Sequence, residues 1–435
     1  MASKLHLETA LLPGSSGEWG WRRDVVVTVE HGVITAVDAT GTGPAERISG
    51  VAVAGLPNLH SHAFQRAMAG RTESRGSEAD SFWTWREQMY RFVERLTPDD
   101  LEAIAALAYM EMLEAGFTSV AEFHYLHHQP DGRPYDNIGE MSERIVAAAD
   151  ATGIGLTLLP VLYRQGGFLG KPASDGQRRF LNTRESYARL METPVPGGTI
   201  GIAPHSLRAV TLDDLKWAAQ TFPHGPAHIH ISEQTREVDD CLAAHDRRPI
   251  DLLMDTVEVD ARWFLIHATH ADAKEIARMA KAQATVGLCP ITEANLGDGL
   301  FDMPALLAGN GRFGVGSDSN VRISAADELR TLEYGQRLVR RQRNVLGEPT
   351  RSTGRRLFEA SLGPNAIAPG QRADFIVLEA DGFTDDAVID HWIFAADNAA
   401  IRSVYCSGVP VVQNGRHKER ERIAARYAKV MAKLA

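Results

Sequence analysis

The segment Gly55-Leu-Pro-Asn-Leu-His-Ser-His62 ends an apolar run in two histidines one residue apart. Successive side chains of a strand point to opposite faces, so His60 and His62 would emerge together from one strand end, where they can grip a divalent cation. With 16 histidines in the chain, chance alone gives roughly 0.6 such pairs, so this one gains meaning only through partners. Those partners constrain the fold as much as the chemistry, because each recurs at the end of another short apolar run.

Between residues 55 and 364 short apolar strands alternate with amphipathic helices, the pattern of βαβ units. Eight strands are expected, ending near His60, Phe123, Leu162, Pro204, Ile231, His267, Leu288 and Ser317. Helices are predicted over 98–115, where Thr97 can cap and Pro98 suits the first helical position, and over 212–221 and 272–282. Eight repeats, with no Gly-x-Gly-x-x-Gly loop after a strand, indicate an α/β chain forming a (β/α)8 TIM-like barrel rather than a doubly wound sheet. In such barrels the active site lies at the C-terminal ends of the strands. Residues 1–54 and 365–420 read differently, as short β segments at 25–29, 33–37, 373–378 and 404–412. Residues 421–435 read as a charged helix or tail, a place for a dimer contact.

Composition narrows the function classes. The formal charge of −10 over 435 residues disfavours nucleic acid and anionic membrane as partners, since both want a basic face. No apolar run reaches the ~20 residues of a membrane span, and residues 1–6 lack a signal peptide's apolar centre, so a cytoplasmic location is expected. Cys241, Cys289 and Cys406 are too dispersed for a disulfide framework or a thiolate zinc knuckle and read as buried small hydrophobes.

Past His60 and His62, the fifth strand contributes His230, with Glu233 just beyond its end; the sixth ends in His267, and the eighth leads to Asp318. Three imidazoles and a carboxylate from different strands suit one divalent metal, zinc or ferrous iron. His228 shares a strand face with His230 and is the rival ligand; His230 lies nearer the strand end. His124, His127 and His128 run into Gln129-Pro-Asp-Gly132 and read as a solvated turn. The 63–97 stretch, with Gly70, Gly76, Phe82, Trp83 and Trp85, reads as a long loop able to act as a lid.

This constellation resembles the amidohydrolase superfamily in its mononuclear deaminase branch. The resemblance covers almost the whole chain, and it implies that the two β-rich ends pair into a small sandwich beside the barrel. It implies metal binding by His60, His62, His230 and Asp318, with Glu233 and His267 acting on the water. No lysine stands near a strand end to bridge two metals. The stretches 60–71, 82–90, 122–125, 203–208 and 289–299 are more sharply similar to the N-formimino-L-glutamate deiminase family, although Ile291 stands where Thr is expected. That likeness implies a substrate pocket of Gln65, Arg86, Tyr125, His205 and Arg208, a small anionic substrate with two carboxylates, hydrolysis to N-formyl-L-glutamate and ammonia, and a homodimer. The arginines fit the two carboxylates, which a planar guanidinium binds through two parallel hydrogen bonds. A nucleobase or triazine would need a stacking pocket instead of paired arginines, and a non-catalytic barrel would tend to have lost ligands.

Overall fold

A computed structural model describes residues 2–14, 18–39, 44–74, 81–380 and 382–434. The first strands, β1 (Ser3–Pro13), β2 (Trp19–Glu30), β3 (Val33–Asp38) and β4 (Glu46–Ala54), are followed after Gly55 by β5 (Leu56–Ser61). With β6 (Phe117–His124), β7 (Gly155–Leu162) and the short β8 (Thr199–Ile200) and β9 (Ala203–Pro204), β5 makes a parallel sheet. A second parallel sheet runs in the order β10 (Ala227–Ile231), β11 (Trp263–His267), β12 (Thr285–Leu288), β13 (Arg312–Val315). The expected strand ends recur with two differences: the fourth strand is split at residues 201–202, and β13 stops two residues before Ser317.

The two parallel sheets touch along both edges. Ile202 bridges Ala227 on one side, and Ser61 bridges Asp318 on the other. At the second seam Asp318 N donates to His60 O and His62 N donates to Asp318 O, each at 2.9 Å. The architecture is TIM-barrel-like, with strands buried on both faces and helices in the crossovers. Helices form where their caps are written: Thr97 accepts from Asp100 N and Asp100 accepts from Thr97 N at the start of Pro98–Glu114. Asp272 caps Ala273–Ala282 in the same manner, and Thr211 caps Leu212–Thr221 by accepting from Asp214 N.

Strands from the two chain ends join one mixed sheet. The later members are β14 (Phe375–Leu378), β15 (Ile401–Cys406), β16 (Val409–Gln413) and β17 (Arg416–His417), and the order is β17-β16-β15-β14-β4-β1-β2-β3. Its far edge curls back, because Ile34 N donates to Gln371 O and Gly370 N to Ile34 O, both at 2.8 Å. The last helix, Arg420–Leu434, lies on Pro98–Glu114, tied by Lys433 to Asp100 at 2.6 Å and by the pairs Arg426–Glu102 and Arg420–Glu114, with Ile423, Val430 and Leu434 buried. No helix among the described residues is long and apolar enough to cross a membrane.

The 63–97 stretch is not a plain loop. It folds into a 3-10 turn over Ala63–Met68 and a helix over Phe82–Val93, which puts Arg86 on a helix face rather than on a strand of loop; Gly76 lies outside the described residues. Small side chains are required where the seam closes. A Cβ on Gly316 would lie 2.6 Å from His60 N, a backbone atom that cannot move without moving His60 itself. Gly316→Ala is therefore expected to cost about 1–3 kcal/mol through overpacking and to lower bound metal, read from the melting temperature and from elemental analysis of the purified variant.

Candidate active site

Five side chains from four strand ends meet at the C-terminal end of the parallel sheets. His60 and His62 come from β5 and its end, His230 from β10, His267 from β11, and Asp318 follows β13. His60 Nε2 lies 3.2 Å from His62 Nε2 and 3.0 Å from His230 Nε2. Asp318 Oδ1 stands 3.3 Å from His62 Nε2 and 3.5 Å from His60 Nε2. The opposite ring nitrogens fix two tautomers: His62 Nδ1 donates to Phe123 O at 2.9 Å, and His230 Nδ1 donates to His205 O at 3.0 Å. Their Nε2 lone pairs then converge with no proton between them, a donor set that a divalent cation satisfies.

Electrostatics agree with that reading. Burial, then neighbouring His60, pushes His62 down to about 3, and burial lowers His60 and His230 as well, so the imidazoles are neutral, the form a metal binds. Burial opposes the charge of Asp318, but His60, His62 and His267 outweigh it and hold the carboxylate below its ordinary range. His228 is not in this group; it stacks on Phe264 with ring centroids 4.3 Å apart, deeper along β10.

Glu233 follows β10 with the preceding Ser232 at φ 50°, and His267 and Asp318 sit at φ 68° and 43°. Three non-glycine residues in the left-handed region within one site represent strain that the surrounding structure must offset. Glu233 is buried, which raises its pKa, while His267 and Arg208 draw it back down. Arg208 Nη2 is 3.5 Å from Glu233, and its Nε is 3.9 Å from Glu237, whose carboxylate also accepts the Glu233 N–H at 3.1 Å.

One cavity contains Gln65, Arg86, Tyr125, His205, Arg208, Glu233 and His267, so the structure brings the expected pocket residues together with the catalytic candidates. Tyr90, Tyr163, Phe180, Trp85 and Met89 also line it. Sequence reading named Trp85 only as a lid aromatic and missed the other four, although Met89 and Tyr90 stand in the 82–90 stretch that carries the family likeness. Gln65 Nε2 donates to Tyr125 Oη at 2.9 Å, and Gln177 Nε2 donates to Tyr90 Oη and Tyr163 Oη at 3.2 and 2.6 Å. Each of the three hydroxyls therefore accepts one bond and keeps its own proton to give.

Two further readings change. Glu293 was not singled out from the 289–299 stretch, yet its Oε1 is 3.2 Å from His267 Nδ1 and accepts the Cys289 N–H at 2.9 Å. His124, His127 and His128 do not form a solvated turn: all three are buried, His127 Nε2 donating to Val161 O and His128 Nε2 to Leu181 O. The segment doubles back under the 179–181 backbone, a long-range contact that local turn chemistry does not reveal. Ile291 gives its backbone N–H to Glu328 at 2.9 Å, which is indifferent to the side chain. The three cysteines are buried and free, as expected.

The model of the amidohydrolase family matches residues 51–411, and the chain belongs to that family. It is 48% identical, over 99% of both chains, to formimidoylglutamate deiminase of Pseudomonas aeruginosa. An amidohydrolase from Brucella melitensis of known crystal structure is also 48% identical and superposes with a TM-score of 0.95 over 99% of each chain. A zinc-bound adenosine deaminase from Xanthomonas campestris shares the fold at a TM-score of 0.80, with 20% identity, over 99% of this chain and 98% of its own.

Burial works against a charged His267, but the carboxylates of Glu293, Glu233 and Asp318 win and push it up to about 10. Since that lies above the 6.5 of the unfolded chain, the stability it confers is complete below about pH 6.5 and is lost as pH rises through about 10. In metal-free protein the His267 ring should titrate near 10 by NMR, and Glu293→Gln should lower that midpoint by about one unit or more, leaving it unchanged only if the pair does not form in solution.

Proposed function

We propose that this chain hydrolyses N-formimino-L-glutamate to N-formyl-L-glutamate and ammonia in histidine degradation. The observation that carries the reading is the content of one pocket, which is lined both by converging imidazoles with Glu233 and Asp318 and by two guanidiniums, Arg86 and Arg208. Full-length identity of 48% to a formimidoylglutamate deiminase supports it. In this reading residues 55–364 form a closed (β/α)8 barrel, residues 1–54 and 365–420 a small β-sandwich domain, and 421–435 a C-terminal helix. A cytoplasmic homodimer completes it, for which light scattering of the purified protein is the check on assembly.

His60, His62, His230 and Asp318 would hold one divalent metal, zinc in our assignment, with ferrous iron the other ion this donor set accepts. When bound, the metal supplies the Lewis acidity that makes water a nucleophile near neutral pH. Glu233 takes a proton from the attacking water, Asp318 accepts a hydrogen bond from it, and cationic His267 donates towards the charge that builds up beside the formimino carbon. Glu233 then gives its proton to the terminal nitrogen, the bond from the formimino carbon to that nitrogen breaks, and the hydroxyl taken from water loses its remaining proton to the departing ammonia, leaving ammonium and the formyl oxygen. Arg208 and Arg86 take the carboxylates, while Gln65, Tyr125 and His205 orient the formimino end. Gln65 Oε1 is buried without a partner among the described residues and suits an N–H of that group.

The first experiment is a proton NMR time course on zinc-loaded protein with N-formimino-L-glutamate and an ammonia assay alongside. N-formylglutamate and ammonia are expected, and Glu233→Gln should lower kcat about 10²- to 10⁴-fold with metal content retained. Formamide and glutamate as products would overturn the direction of collapse. Arg208→Ala should abolish turnover of the dicarboxylate; full activity in that variant, or turnover of a nucleobase by the parent enzyme, would move the assignment to a ring deaminase.

A further inference from the structure

Next to the substrate pocket, and sharing Arg86 and Arg208 with it, lies a second, open cavity lined by Trp83, Phe168, Lys171, Arg236 and Asp240. Trp83 is its hub. The guanidinium carbons of Arg86, Arg236 and Arg208 lie 4.7, 4.8 and 5.7 Å from the centre of its ring. Cation–π attraction offsets part of the repulsion among three like charges, but it leaves the charge in place. Arg208 is balanced by Glu233 and Glu237, and Arg236 by Asp240 at 3.7 Å. Arg86 and Lys171 have no ion-pair partner among the described residues, and buried Arg86 Nε has no hydrogen bond there either. A cationic surplus therefore stands at the mouth of the pocket, in a chain whose net charge is −10.

The surplus is built on ordered supports. Gly166 N donates to Lys171 O at 2.7 Å and Gly167 bridges Lys171, so a tight loop presents the lysine. Phe168 of that loop packs on His245 at 5.7 Å, and His245 ends the helix that carries Arg236. Loop and helix thus hold Lys171 and Arg236 on one cavity.

We infer that this cavity is an outer capture site for the dicarboxylate. Lys171 and Arg236 draw its carboxylates in, and Arg86 and Arg208, which line both cavities, receive them. The inference rests on the proposed dicarboxylate substrate. Attraction of this kind is screened over about 10 Å at 0.1 M salt, so its signature is an ionic-strength dependence of kcat/KM.

The test is the double variant Lys171→Gln with Arg236→Gln, assayed on N-formimino-L-glutamate from about 20 mM to about 0.5 M salt. Lys429→Gln, an exposed charge on the last helix that lines neither cavity, is the control for net charge. At low salt the double variant should lose about five- to tenfold in kcat/KM while kcat holds, and its curve should meet the parent's at high salt, with Lys429→Gln tracking the parent. Equal salt dependence in double variant and parent overturns the capture site alone. Failure of the parent to turn over the substrate overturns the functional reading and the capture site with it.

Discussion

The site depends on one backbone seam. Asp318 pairs with β5 through two hydrogen bonds of 2.9 Å, donating to His60 O and accepting from His62 N. Side chains staple the seam on both flanks: Asn58 accepts from Ser317 N at 3.0 Å and donates to Ser317 Oγ at 2.6 Å, while Asn320 Nδ2 donates to Ser61 Oγ and His62 O. A slip of one residue would turn the carboxylate to the other face and leave the three imidazoles without the carboxylate that completes their donor set. Register at this seam is thus what converts separate strands into one donor set.

Around that donor set the protein has gathered more buried carboxylates than cations. Glu233, Glu237, Glu293 and Asp298 lie near His267 and Arg208, all of them buried. Burial and then Glu233 push Asp298 up to about 8, so near neutrality it keeps a proton, even though the 2.5 Å hydrogen bond from Gln234 Nε2 works the other way. An assembly that retains protons here is expensive to fold, because each buried charge needs a partner. The return is a base and an acid of opposite character side by side. Glu233 is raised by burial and His267 is raised by its acids, so the same enclosure moves both groups off their ordinary values.

Strand ends and helix starts were legible because they are local. A short apolar run ending in a polar residue, or Thr97 placed before Pro98, carries its own instruction, and His60, His62, His230, His267 and Asp318 all stand where such runs end. The rest depends on contacts distant in sequence. Glu293 reads as an ordinary first-turn acid until β11 and the helix Pro290–Leu296 bring it to His267. Tyr163 and Phe180 carry no local signal, and the 124–128 histidines look like turn residues until the 179–181 segment covers them. Arg86 was legible as a residue but not as part of a helix, because the aromatic-rich composition of 82–93 hid an amphipathic face.

Pocket aromatics could equally serve a planar ring, so their hydrogen bonds decide what they do. Gln65 and Gln177 spend their amide protons on the oxygens of Tyr125, Tyr90 and Tyr163, which leaves three phenolic protons for other acceptors. Two guanidiniums line the same cavity, with only Glu233 and Glu237 facing Arg208 and no carboxylate on Arg86 among the described residues. A nucleobase edge alternates donors and acceptors and would leave several of these donors unpaired, at a cost of about 1–3 kcal/mol for each buried one. A dicarboxylate offers only acceptors at that end. The amide pair thus sets the polarity of this wall: by facing the tyrosine oxygens with N–H groups, the two glutamines leave the phenolic protons free to donate.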